Sequence, residues 1–172
     1  LDRERAHADV ASKCEQIWNT LPLMGESVYL KRKKVAAFGV KYHNDYLVIP
    51  LCDVSGKLWS LQYIHDSGFK RFMTGGKKRG CFHIIGKINN IVIVGEGYAT
   101  LASIHMATNV PVIIAFDAGN LTPVIEALTC KYPDITIIIA ADDDRWKPEI
   151  GNTGRIKASE AAKRYGCTVM LP

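Results

Sequence analysis

Apolar and polar positions change rhythm several times along this chain. Over residues 4–20, Ala6, Val10, Cys14, Ile17, Trp18 and Leu21 recur at helical spacing, which predicts an amphipathic helix with Asp2 as a candidate N-cap. Leu21-Pro22 ends it, because the residue before a proline avoids the helical region. A short helical stretch around Val28, Tyr29 and Leu30 follows. Tyr46-Leu47-Val48-Ile49-Pro50-Leu51 reads as a strand, Asp53-Val54-Ser55-Gly56-Lys57 as a turn, and 58–64 as the returning strand. A second turn, Asp66-Ser67-Gly68, leads into Phe69-Lys70-Arg71-Phe72-Met73, and 82–85 is a further short strand. Residues 45–90 are therefore expected to form a small antiparallel β-lobe.

From Ile91 the pattern alternates strand and helix. Strands are predicted over 91–94, 110–116, 135–141 and 167–171, with helices over 98–108, 121–131 and 153–165 between them. Pro123 falls in a helical first turn, where its missing N–H costs nothing. Right-handed crossovers would gather the four strands into a parallel sheet with helices on both faces. The expected fold is α/β: a parallel sheet flanked by helices over 91–172, preceded over 1–90 by the N-terminal helix and the β-lobe.

Two of the apolar runs end in carboxylates. Ile91-Val92-Ile93-Val94 stops at Gly95-Glu96-Gly97, and Ile135-Thr136-Ile137-Ile138-Ile139-Ala140-Ala141 stops at Asp142-Asp143-Asp144. In open α/β sheets the working groups gather at the carboxyl ends of strands. Adjacent strands lie about 4.8 Å apart, so acids at neighbouring ends can share one cation. Three consecutive aspartates repel one another, and a hard divalent ion relieves that repulsion, with Asp142 and Asp144 on the same side of an extended backbone. Glu96, Asp142 and Asp144 are therefore the candidate Mg²⁺ (or Mn²⁺) ligands and catalytic acids. Gly95-Glu96-Gly97 is not a dinucleotide fingerprint, since Thr100 stands where the third glycine belongs and a glutamate would face the pyrophosphate.

Charge divides the chain. Residues 1–90 hold 15 Lys/Arg against 8 Asp/Glu, whereas 91–172 hold 7 against 9. A basic first half beside an acidic second half suits a polyanion next to a bound cation. Lys31-Arg32-Lys33-Lys34 must be solvated or matched to phosphates. Lys70 and Arg71 between Phe69 and Phe72, and Lys77, Lys78 and Arg79 between glycines, are the candidate nucleic-acid contacts. The five cysteines form no C-x-x-C pair, which argues against a disulfide framework or a zinc ribbon and fits a reducing cytoplasm. No apolar run approaches the ~20 residues of a membrane span. The chain opens with Leu1 rather than Met, as a piece of a longer protein would.

Together these motifs resemble a Toprim domain, the fold shared by bacterial-type primases, topoisomerases and some nucleases. The segments Val94-Gly95-Glu96-Gly97-Tyr98-Ala99-Thr100, Ala115-Phe116-Asp117-Ala118-Gly119-Asn120-Leu121, Ala140-Ala141-Asp142-Asp143-Asp144 and Asn152-Thr153-Gly154-Arg155 are similar to primases of plasmids, phages and integrative elements. Upstream, Leu47-Val48-Ile49-Pro50-Leu51, Gly56-Lys57-Leu58, Leu61-Gln62 and Lys70-Arg71-Phe72 resemble the lobe that precedes Toprim in those proteins.

The resemblance implies Mg-dependent synthesis of RNA primers from ribonucleoside triphosphates on a single-stranded DNA template. Asp142 and Asp144 would hold the metal on the incoming triphosphate, with Glu96 as base or further ligand. Arg155 and Lys157 would contact the triphosphate. Asp117, Asn120 and Asp143 are additional site candidates, with Asp117 equally readable as an N-cap. Such primases carry a zinc-binding module upstream and a helicase part downstream, so a replicative helicase or further domains are the implied partners. A Toprim nuclease and a non-catalytic nucleic-acid-binding replication module stay open as alternatives.

Overall fold

The structure is a computed structural model that describes residues 2–141 and 153–171. The chain divides into two compact units, Leu1–His83 and Ile84–Pro172.

In the first unit, α1 (Asp2–Thr20) lays Ala11 and Cys14 on the sheet, and Val10, Ile17 and Trp18 complete the stripe. Asp2 lies in the first turn of α1 rather than capping it. The short helix α2 (Val28–Lys33) is capped by Ser27, whose hydroxyl accepts from Leu30 N. A four-stranded antiparallel sheet follows in the order β1 (Lys41–His43), β2 (Tyr46–Cys52), β3 (Leu58–His65), β4 (Lys70–Phe72). Alternation along β2 and β3 sends Val48, Leu61 and Tyr63 toward α1, while Leu47, Ile49 and Ile64 are fully buried on the other face. The turns obey their local chemistry: Asp53 Oδ1 accepts from Ser55 N and Lys57 N, and Gly56 and Gly68 take left-handed backbone at φ 91° and 96°. β1 was not predicted, because Lys41-Tyr42-His43 is a three-residue edge strand with no apolar alternation; its signal was the Asn44-Asp45 turn, with Asn44 left-handed at φ 49°.

The second unit is a five-stranded sheet ordered β5 (His83–Ile85), β7 (Val112–Ile114), β6 (Ile91–Gly95), β8 (Thr136–Ala140), β9 (Thr168–Met170). β6 is parallel to both β7 and β8, and β9 is parallel to β8. Helices α3 (Tyr98–Thr108), α4 (Ala118–Lys131) and α5 (Thr153–Tyr165) make the crossovers. Sequence pattern had assigned 82–85 to the β-lobe; β5 instead adds a fifth strand beside β7, since a three-residue run carries no information about its pairing partner. Right-handed crossovers place α3 on one face and α4 and α5 together on the other, consistent with the approach of Arg164 on α5 to Glu126 on α4 at 3.9 Å. β6 thus hands its chain to one face while both of its neighbours hand theirs to the opposite face. The carboxyl end of β6 is therefore the topological switch point of the sheet, the place where open α/β sheets bind their ligands.

Candidate active site

Glu96 is the first residue beyond β6, at that switch point. Val92, Ile93 and Val94 are buried β-branched residues, so the strand is anchored on both faces and its end is held firmly. Gly95 pairs with Ile114 on one side and Ala140 on the other. A Cβ on Gly95 would lie 2.6 Å from Leu101 Cδ2 and 2.8 Å from the Ala140 carbonyl oxygen, so only glycine lets α3 and β8 close on the strand end. Ala115 N donates to Gly95 O at 2.7 Å and Phe116 N to Glu96 O at 3.1 Å, which clamps the Glu96 peptide to the end of β7. The side chain of Glu96 is half-buried with Oε1 inaccessible to solvent. Gly97 caps α3 without a side-chain hydrogen bond, and Glu96 directly precedes it in the chain, next to the positive end of that helix.

The next strand end, that of β7, is shaped by two residues with local jobs. Phe116 holds left-handed backbone at φ 73°, a costly conformation for a bulky residue and one that concentrates at functional sites. It turns the chain so that Asp117, with extended backbone, caps α4 and accepts from Asn120 N at 3.0 Å. Asn120 is buried and its Nδ2 donates to Ala115 O at 2.9 Å, tying the first turn of α4 back to β7.

At the end of β8, Ala140 is level with Gly95 of β6, and Ala141 N donates to Met170 O at 3.1 Å. Asp142, Asp143 and Asp144 follow directly in the sequence and lie outside the described residues. Among the described residues no group of three or more His, Cys, Asp or Glu side chains converges to hold a metal. The first turns of α5 carry Arg155, which is exposed, and Lys157, which is paired with Glu160 at 2.8 Å.

On the first unit the cations sit against aromatic rings. Arg71 stacks over Tyr46 and Tyr63, 5.2 and 4.6 Å from their centroids. Trp59 has Lys57 Nζ at 4.0 Å and Lys77 Nζ at 4.4 Å from its ring, and its indole N–H donates to Asp53 Oδ2 at 2.7 Å. Lys78 lies 5.1 Å from Phe72, and Arg79 is exposed. Such contacts hold long cationic side chains upright at modest entropic cost. Lys70 and Arg71, neighbours in sequence, are sent to opposite faces by the pleat of β4. Sequence reasoning missed Trp59, Tyr46 and Tyr63 as partners. The available signal was the two-residue spacing of Trp59, Leu61, Tyr63 and His65 along β3.

Two of the thiols are unsuited to nucleophilic chemistry. Burial pushes the Cys81 thiol up to about 12 and, with the charge of Asp53, that of Cys52 to about 11. Both stay protonated at neutral pH and are poor nucleophiles.

Residues 91–171 match the family described as the Toprim domain. Two curated Escherichia coli proteins, both described as DNA primase TraC, are 37% identical over 188 residues and 36% identical over 183 residues. The matches take in 99% and 100% of this chain but only 17% and 13% of the relatives' lengths. Among solved structures, the primase fragment of the bacteriophage T7 primase-helicase protein superposes with TM-score 0.52 at 17% identity, over 84% of this chain and 59% of that one. The DnaG primase catalytic domain bound to single-stranded DNA superposes at 0.50 and 16% identity, over 83% of this chain and 50% of that one. At such identities these two structures share the fold.

Proposed function

On the premise that residues 91–171 are a Toprim domain, we propose that this chain is the catalytic core of a DNA primase, joining ribonucleotides into a primer on single-stranded DNA. The observation that carries this reading is the pairing of β6 with β8, Gly95 level with Ala140, which brings Glu96 beside the strand that runs on into the three aspartates.

Carboxylate oxygens are hard donors, and Glu96 offers a half-buried carboxylate at the switch point of the sheet, so the residue fits a hard divalent cation such as Mg²⁺ or Mn²⁺. Asp142 and Asp144 would complete that ligand set. When bound, such an ion supplies charge neutralisation on a triphosphate. Glu96, held by Gly95 and by the Phe116 amide, takes up the proton of the attacking primer hydroxyl or serves as a further ligand. Arg155, exposed at the start of α5, reaches phosphate oxygens; Lys157 must first give up Glu160, an exchange that a more highly charged anion would favour. Lys70, Arg71, Lys77, Lys78 and Arg79 neutralise template or primer phosphates from the first unit. A replicative helicase, or further domains of a longer chain, act alongside it.

The test is an incubation with single-stranded DNA, labelled ribonucleotides and Mg²⁺ or Mn²⁺. Metal-dependent labelled primers that vanish in Glu96→Gln and in Asp142→Ala/Asp144→Ala are the expected result. Shortened DNA would favour a nuclease, and DNA binding without any product a replication module that has lost its chemistry.

A further inference from the structure

The cationic run Lys31–Arg32–Lys33–Lys34 is used by none of the roles assigned so far, yet the fold builds it with some care. Tyr29 and Leu30 are buried, which turns the following four side chains out to solvent. Lys34 closes α2 in left-handed backbone at φ 56°, where glycine would sit without strain. A helix C-terminus favours cations, but that accounts for one or two of them rather than four that repel one another. Lys31 is matched by Glu26 at 2.6 Å, and among the described residues no ion pair involves Arg32, Lys33 or Lys34.

The run is not a loose tail, because α2 is bonded to the turn between β3 and β4. Asp66 Oδ1 accepts from Val28 N at 2.9 Å and from Tyr29 N at 3.4 Å. Arg32 Nη2 lies against the same turn, 3.1 Å from where a Cβ on Gly68 would be. The next residue, Phe69, is 62% exposed. Its backbone is fixed from both sides, since its carbonyl accepts from His65 N at 2.8 Å and its amide reaches Ser67 Oγ at 3.4 Å. An exposed aromatic ring on a turn with fixed backbone, one residue after the glycine that Arg32 approaches and just ahead of exposed Lys70, is an arrangement that folding alone does not require.

We propose that α2 and the β3–β4 turn form a second contact for single-stranded nucleic acid, with an unpaired base stacked on Phe69 and flanking phosphates held by Arg32, Lys33 and Lys34. Every base has a π-face, so the contact tolerates any sequence; it demands an unpaired base, so it distinguishes single strand from duplex. It uses none of the side chains of the Arg71 and Trp59 stacks and does not depend on primer synthesis.

Fluorescence anisotropy with a labelled single strand of about a dozen nucleotides, and a duplex of equal length, tests the proposal on the full chain. Phe69→Ala should weaken single-strand binding about tenfold while leaving duplex binding and the melting temperature unchanged, and Phe69→Trp should restore it. Arg32→Ala/Lys33→Ala/Lys34→Gly should lower the salt slope of single-strand binding by about 2, each lost phosphate contact removing about 0.7. Wild-type affinity in Phe69→Ala, or an equal loss on duplex, would overturn the stacking role. An unchanged salt slope together with lost binding to anionic lipid vesicles would assign the cations to a membrane surface and overturn the rest.

Discussion

The main-chain carbonyl of Glu96 takes its hydrogen bond from the amide of Phe116 at 3.1 Å, and Phe116 offers that amide from left-handed backbone at φ 73°. One strained residue therefore sets the attitude of the carboxylate-bearing peptide. A β-branched replacement fits this conformation worse than phenylalanine does, and glycine fits it without strain. Phe116→Val should lower stability by about 1–3 kcal/mol relative to Phe116→Gly, read from denaturant midpoints. Primer synthesis should fall further in Phe116→Val than in Phe116→Gly, although both lose the ring.

Gly95 sets the distance of that peptide from its neighbours. Because the atoms a new Cβ would meet include the backbone oxygen of Ala140, Gly95→Ala cannot be relieved by a rotamer change alone. It should cost about 1–3 kcal/mol and reduce the metal-dependent activity by more than the lost stability explains. Isothermal titration with Mn²⁺ would read the displaced Glu96 directly: weaker metal binding is expected in a protein that still melts cooperatively.

Asp117 separates a capping role from a catalytic one. Asp117→Ala should cost about 1 kcal/mol through the lost cap of α4, and Asp117→Ser should recover most of it. Recovery of primer yield in Asp117→Ser would leave Asp117 as a cap; stability without activity would put its charge in the chemistry. Asn120→Ala is expected to be the more damaging for the fold, since it leaves a buried carbonyl unmatched.

His83, the first residue of β5, gives the fold a pH dependence. Burial holds its pKa down to about 4, against the pull of the hydrogen bond between Nε2 and Phe38 O at 2.8 Å. Since Phe38 offers only an acceptor there, Nε2 carries the proton of the neutral ring. The unfolded chain takes up a proton near pH 6.5, whereas the folded one does so only near 4, so stability contributed by neutral His83 is lost as pH falls through that window. The unfolding free energy, measured by denaturant titration between pH 7 and 4, should decline by an amount on the order of 3 kcal/mol, and His83→Leu should flatten the decline.

What could be read from the residues alone was whatever depends on near neighbours. The 3.6-residue period of α1, the β-branched runs of β6 and β8, the Asp53 and Gly68 turns and the Asp117 cap are properties of a few consecutive side chains, so their signals stand in the sequence. The pairing of distant strands is not such a property. That β6 lies between β7 and β8, that β5 joins the second sheet, and that Arg71 turns toward Tyr46 and Tyr63 while Lys70 turns away follow from long-range packing. The sequence therefore supplied the acids at the ends of apolar runs, and the tertiary structure decided that the strand ending at Glu96 has the strand leading to Asp142 as its neighbour. Burial of both sheet faces permits few strand orders, and a choice among them is made only when the whole core closes.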